Sequence, residues 1–375
     1  MSIPERSIQP RREFHIPSLD GLRAISFLIV FVSHAGGAAW GIPGGFGVTV
    51  FFFLSGYLIT TLLRLEFEQT ARVSLRDFYL RRVLRILPPF YTVLAFAVVM
   101  NLVGLTPGHL QTWPMLAQLL HFTNYWSIFH GTEGQPAGTG VYWSLAVEEH
   151  FYLVFPAVFL LLQRLLPRRG RAQGAVLLAL CGAVLAWRCW LVLGAHAPEN
   201  RTFYGTDTRL DSILFGCALA VAANPMLDAP RVPSARLRQV WFPLGLAGLI
   251  AGFVLRAPWF RETFRYSLQG LALMPVFVAA MREPDWGPFR LLNTRLLKRV
   301  GVLSYSLYLV HQVVLMAAEH RALAPLPRAV VALGVSLVLA ELTQRYVERP
   351  CARLRKRLMH TDWQAARPPQ ASSAS

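Results

Sequence analysis

Acidic residues are scarce in this sequence. Only 20 Asp and Glu stand against 37 Lys and Arg in 375 residues, and all charged types together make up 15% of the chain. A soluble protein of this length carries more charge and interrupts its apolar runs more often, so a soluble globular domain is excluded. Cysteine is also rare. Cys181, Cys189, Cys217 and Cys351 show no metal-ligand spacing, and the first three fall inside apolar runs. They read as small buried hydrophobes, which argues against a disulfide framework and against a metal site. No cleaved leader is expected, because the first apolar block carries Asp20 and Arg23 at its start and runs on towards a second block. There is no clear internal repeat, and no length remains for a second, soluble domain.

What is abundant is apolar: 54% of residues are hydrophobic. Most lie in blocks of about 17–25 residues, the length that spans a hydrocarbon core as a helix. About ten such blocks occur, near 18–36, 46–65, 83–104, 142–166, 173–195, 209–223, 239–255, 266–281, 300–318 and 326–348. The expected fold is therefore an all-α, polytopic transmembrane bundle in a lipid bilayer. The net charge of +17 raises the question of nucleic acid, but its placement answers it. Arginines crowd the segments before the first block, between the second and third, and after the fourth, sixth, eighth and tenth. The intervening loops 37–45 and 105–140 contain no Lys or Arg, and loop 196–208 has only Arg201, while the connection between the seventh and eighth blocks, with Arg256, Arg261 and Arg265, fits the alternation least. This alternation is the positive-inside bias; it predicts both termini in the cytoplasm and no nucleic-acid partner. Residues 1–17 then form a cytoplasmic segment, 18–350 the membrane domain, and 351–375 a basic tail that ends disordered.

Ionised groups inside such blocks cost several kcal/mol unless something compensates them, so their positions are informative. The stretch VYWSLAVEEHFYLVFP, residues 141–156, holds Glu148 and Glu149 in an aromatic run. Ser144, Glu148 and Phe151 share a helical face, while Glu149 points about 100° away. Glu148 is the better candidate for a polar cavity; Glu149 is expected to be neutral or to pair with a distant arginine. In LDGLRAISFLIVFVSH, Arg23 and His34 share a face ~16 Å apart, with Asp20 placed to pair with Arg23. His34 and Glu148 are expected at similar depth near the outer side, as a general base and its orienting carboxylate. The blander alternatives are a histidine donating to a carbonyl and a simple tie between helices.

Further polar groups follow the same logic. Arg81, Arg82 and Arg85 open the third block, where guanidinium groups suit a phosphate-rich ligand and anchoring alone explains Arg81 better than Arg85. Ser55 with Gly56, Arg209 with Asp211, and Ser304, Tyr308 and His311 at i, i+4, i+7 are expected to make helix-to-helix hydrogen bonds. Trp113, Tyr125 and Trp126 in the outer loop suit either an interfacial aromatic belt or stacking on sugar rings.

Taken in order, LDGLRAISFLIVFVSH, GVTVFFFLSGYLITTLL, FYLRRVLRILPPFY, WSLAVEEHFYLVFP, RLDSILFG and LSYSLYLVHQ make the chain resemble the acyltransferase type 3 family of integral-membrane O-acyltransferases, across roughly residues 15–350. The resemblance implies a ten-helix core and transfer of an acyl group, often acetyl, from cytoplasmic acyl-CoA to a hydroxyl. It implies a glycan or glycolipid acceptor at the cell envelope, or alternatively a macrolide-type metabolite. No bound cofactor is implied, since acyl-CoA is the donor substrate. The functional positions it implies are His34, Glu148 and the arginines of the third block. Where some members carry Arg-x-Arg, this chain has Arg82 and Arg85 separated by two residues. A transporter or flippase without acyl transfer is the alternative of a different class; matched broken-helix halves would favour it, and none is visible.

Overall fold

The apolar blocks fold as helices. The computed structural model describes residues 16–37 and 41–359, and no strand occurs among them. Its helices are α1 (Leu19–His34), α2 (Gly44–Thr70), α3 (Leu75–Leu102), the short α4 (Thr112–Leu119) and α5 (Thr123–His130), α6 (Trp143–Leu165), α7 (Gly170–Cys189), α8 (Glu199–Tyr204) and α9 (Thr206–Ala222). They are followed by α10 (Phe242–Val254), α11 (Phe264–Arg282), α12 (Arg295–His320), α13 (Pro325–Thr343) and α14 (Arg349–Leu358). Among the described residues, eight helices are long and apolar enough to cross a membrane. The first and sixth expected spans are shorter: α1 has 16 residues and α9 has 17. At 1.5 Å per residue each reaches about 24–26 Å, a little less than a hydrocarbon core of ~30 Å. Helix α9 is almost wholly buried among other helices, whereas α1 keeps one side uncovered, with Ile25 exposed.

Two boundaries differ from expectation for local reasons. Helix α3 begins at Leu75, eight residues before the apolar block, because Ser74 caps it by accepting the Asp77 backbone N–H at 3.2 Å. Arg81, Arg82 and Arg85 sit on its turns, as the expected basic stripe at the start of the third span. The basic stretch after the last block also stays helical, as α14, because Arg, Leu and Lys are good helix formers. The rest of the expected tail, 360–375, and the first 15 residues of the expected N-terminal segment lie outside the described residues.

Close approach of α2 and α9 fixes the centre of the bundle. A Cβ on Gly56 would fall 2.0 Å from the Ile213 carbonyl oxygen, and one on Gly216 would fall 2.1 Å from that of Phe53. Backbones this close need glycine on both sides, the small-residue packing of membrane helices. Beside this contact, Arg188 and Asp211 form an ion pair at 2.9 Å with both side chains at 0% exposure. Arg188 also donates to the carbonyls of Thr263 and Thr208, and Ser267 donates to Asp211. Asp211 thus ties α9 to α7 and α11. Arg188→Leu leaves that carboxylate buried and unpaired, with an expected cost of about 3–5 kcal/mol. Thermal inactivation in detergent should show it, and Arg188→Leu with Asp211→Leu should regain much of the loss.

Candidate active site

Five helices, α1, α2, α3, α6 and α12, enclose a cavity that charged and hydroxyl side chains share with apolar ones. The arginines on α3 separate by register. Arg81 turns to Glu66 and pairs with it at 2.8 Å, both side chains buried. Arg82, one residue on, points into the cavity and is only 9% exposed. It has no carboxylate within ion-pair distance among the described residues; its guanidinium lies 5.4 Å from the Tyr152 ring and 5.8 Å from Phe78. Arg85, a turn further along, lines the same cavity and is exposed. Arg23 lines it too, but its expected pair with Asp20 does not form. Its Nε donates to Ser304 Oγ at 3.1 Å, because Ser304 on α12 faces the cavity and Asp20 does not line it.

Glu148 enters this cavity from α6. Ser55 donates to Glu148 Oε1 at 2.6 Å, and Tyr152 donates to Ser55 at 3.1 Å. Ser144 shares the cavity as its register predicts, but it bonds the Val141 carbonyl and the Tyr308 hydroxyl rather than Glu148. Glu149, half-buried, forms no ion pair among the described residues. The pairing of His34 with Glu148 expected from equal depth is absent. Helix α2, carrying Ser55, supplies the partner of Glu148.

His34 instead meets His311. The two rings are nearly parallel, at 10°, with His34 Nδ1 3.0 Å from His311 Nε2. The tautomers follow from the neighbours. His311 Nδ1 lies 2.8 Å from the Tyr308 carbonyl oxygen and 3.2 Å from that of Leu307, both acceptors, so it carries the proton. In neutral His311, Nε2 then holds a lone pair and accepts from His34 Nδ1–H. That leaves the lone pair of His34 on Nε2, the arrangement a general base needs.

His34 opens onto a second cavity, the outer one if loop 105–140 faces outward as its charge predicts, and Val48 and Tyr308 border both. Between the two, Tyr308 is fixed by Ser144 at 2.7 Å and by the Val141 carbonyl at 3.1 Å. Segment 132–140 roofs the outer cavity. Gln118 pins it through Gln135 and Thr139, at 3.0 and 2.6 Å. At Gly138, φ is +82° and a Cβ would lie 2.4 Å from the Val313 nitrogen. Gly138→Ala is therefore expected to lift the roof and remove most activity while the protein still inserts, as assayed by turnover against membrane content.

A family model described as an acyltransferase domain matches residues 16–343, nearly the whole described chain. The chain belongs to this acyltransferase family. Among curated proteins, this acyltransferase chain is 31% identical over 354 residues to peptidoglycan O-acetyltransferase OatA of Listeria monocytogenes, covering 90% of this chain and 56% of that protein. It is 32% identical over 352 residues to the putative peptidoglycan O-acetyltransferase YrhL of Bacillus subtilis, covering 90% and 55%. A putative O-acetyltransferase of Staphylococcus aureus is 28% identical over 355 residues, covering 90% and 57%. The chain thus spans about half the length of the curated relatives it matches. No solved structure matches it.

Sequence reasoning missed several residues of the acyltransferase site. Tyr152 and Tyr305 line the inner cavity, Gln312 lines the outer one, and none of the three is charged enough to stand out. His311 was expected to tie helices together and is the partner of His34. Its i+7 register from Ser304 was the available signal. Arg209 and Asp211 lie elsewhere: Arg209 donates to Thr49 and sits 4.0 Å over the Tyr266 ring, and Asp211 binds Arg188.

Proposed function

We propose that the protein is a plasma-membrane O-acyltransferase that moves an acetyl group from cytoplasmic acetyl-CoA to a hydroxyl of an envelope glycan. The observation that carries this reading is the pair of abutting cavities with opposite chemistry. The inner one holds three arginines and Glu148; the outer one holds His34, aromatic rings and amides. Charge in the inner cavity suits the phosphates and thioester of the donor. The names of the relatives support acetyl as the group and peptidoglycan-type glycan as the acceptor class.

In this mechanism the donor binds against Arg82, Arg85 and Arg23, with its thioester reaching the Val48–Tyr308 boundary. The acceptor hydroxyl enters from outside and gives its proton to His34 Nε2 as its oxygen attacks the thioester carbonyl. The C–S bond breaks, and His34 returns the proton to the departing sulfur, giving an O-ester and free CoA thiol. An acyl-histidine intermediate would use the same nitrogen. Glu148 acts on the donor side, holding Ser55 and offsetting the arginine charge, not on the base. The loop charges support an orientation with both termini and the arginine end facing the cytoplasm.

Purified protein given acetyl-CoA and a glycan should release CoA thiol in proportion to ester formed. A transporter frees no thiol, and that result would remove the reading. Orientation has its own check: single cysteines in loop 105–140 should react with an impermeant reagent in intact cells, whereas cysteines near either terminus should not.

A further inference from the structure

We infer that the outer cavity is a subsite for an uncharged, hydroxyl-bearing sugar ring and that Gln312 is the residue recognising it. The inference rests on the acyl-transfer reading and deepens it on the acceptor side. Helix α12 presents Tyr308, Gln312 and Met316 to this cavity at i, i+4 and i+8, so Gln312 stands between the boundary tyrosine and the outer mouth. It directly follows His311 in the chain. Its Oε1 is shielded from solvent and has no hydrogen-bond donor. A buried acceptor in that state is unfavourable until a donor reaches it, and such groups mark places where a ligand or water completes the bonding.

The remaining lining fixes the class of that group. Among the described residues no Asp, Glu, Lys or Arg lines the cavity, so apart from His34 no side chain there compensates a phosphate or carboxylate on the reacting ring. Trp143, Phe203 and Tyr204 supply flat apolar faces for the C–H face of a sugar. Behind them the Arg209 guanidinium lies 5.5 Å from the Trp143 ring and 5.6 Å from Phe203, holding both rings in place without entering the cavity. Aromatic faces with one unpartnered amide oxygen describe a pocket for a neutral ring that donates from a hydroxyl or an N-acyl N–H. A charged acceptor would have to keep its charge outside the roof.

The probe is a neutral β-1,4-linked N-acetylglucosamine tetramer, tested on the purified full chain. Two substitutions separate the accepting oxygen from volume. Gln312→Met keeps the length and removes the oxygen; Gln312→Asn, one methylene shorter, keeps an amide oxygen and adds no charge. Loss of one hydrogen bond should raise the acceptor KM of Gln312→Met about tenfold, with the acetyl-CoA KM unchanged. Gln312→Asn should lose less than Gln312→Met. Tetramer binding, read by tryptophan fluorescence without donor, should weaken in parallel. If turnover occurs and Gln312→Met leaves the acceptor KM unchanged, the subsite is wrong and the transfer reading survives. If no thiol is released but binding still depends on Gln312, the subsite stands and the transfer reading falls. If the parent protein does not bind the tetramer, the subsite is overturned.

Discussion

His34→Ala is expected to lower acyl transfer by roughly 10²–10⁴-fold, the usual contribution of a positioned general base. Acetyl-CoA affinity and membrane insertion should be near normal, because His34 lines the outer cavity and not the inner one. The partner gives the sharper test. His311 holds His34 Nδ1–H through its Nε2, so it acts through His34 and not on the substrate. His311→Leu should lower kcat with little change in either KM. His311→Gln retains a side-chain oxygen able to accept the Nδ1 proton and should recover part of the loss. A purely structural role would show instead as lower thermal stability with no difference between the Leu and Gln variants. Glu148→Gln belongs to the other cavity and should act mainly through the donor, raising its KM. A fall in kcat alone would restore Glu148 to the base.

Removing Arg82 is the second large effect. A charge-assisted hydrogen bond contributes about 1.5–3 kcal/mol, so Arg82→Ala should weaken acetyl-CoA binding on the order of 10–100-fold. Arg82 is buried and lacks a carboxylate partner among the described residues, so it has no competing structural pair, unlike Arg81 with Glu66. Arg85 is exposed, and its contribution should fall steeply with added salt, whereas that of Arg82 should be screened much less. Arg85→Lys should restore binding only partly, since an ammonium loses the planar two-pronged contact. Arg23, bonded to Ser304 rather than to Asp20, lines the same cavity, and Arg23→Ala should also weaken acetyl-CoA binding. Titration of acetyl-CoA in detergent at two ionic strengths checks all three. Normal affinity in both Arg82→Ala and Arg85→Ala would make these residues helix anchors.

Much of this was legible in the sequence because lipid makes its demands simple. Apolar length gave the helices, the helical period put Glu148 and Ser144 on one face of α6, and the loop-charge bias put Arg23, Arg82 and Arg85 at one end of the bundle. What the period cannot give is which helix lies opposite. Depth along α1 and α6 put His34 beside Glu148, yet depth is one coordinate and adjacency needs rotation and neighbour order as well. Those are set by close contacts such as Gly56 against Ile213 and Gly138 against Val313, which follow from the packed bundle and not from any one segment. The same limit hid the Arg188–Asp211 pair, since Arg188 sits in a span whose other residues look lipid-facing. Gln312 was invisible for another reason: an uncharged amide gains meaning only when its oxygen is found without a donor.

The central claim is that donor and acceptor meet from opposite sides at the boundary of two cavities, with His34 between them. The most direct measurement uses protein reconstituted in one orientation into sealed vesicles, with labelled acetyl-CoA on one face and glycan on the other. The account predicts labelled ester only when acetyl-CoA faces the arginine end and the glycan faces the loop 105–140 side, and none with His34→Ala. Equal labelling with the two substrates exchanged across the membrane, or full transfer by His34→Ala, would contradict it.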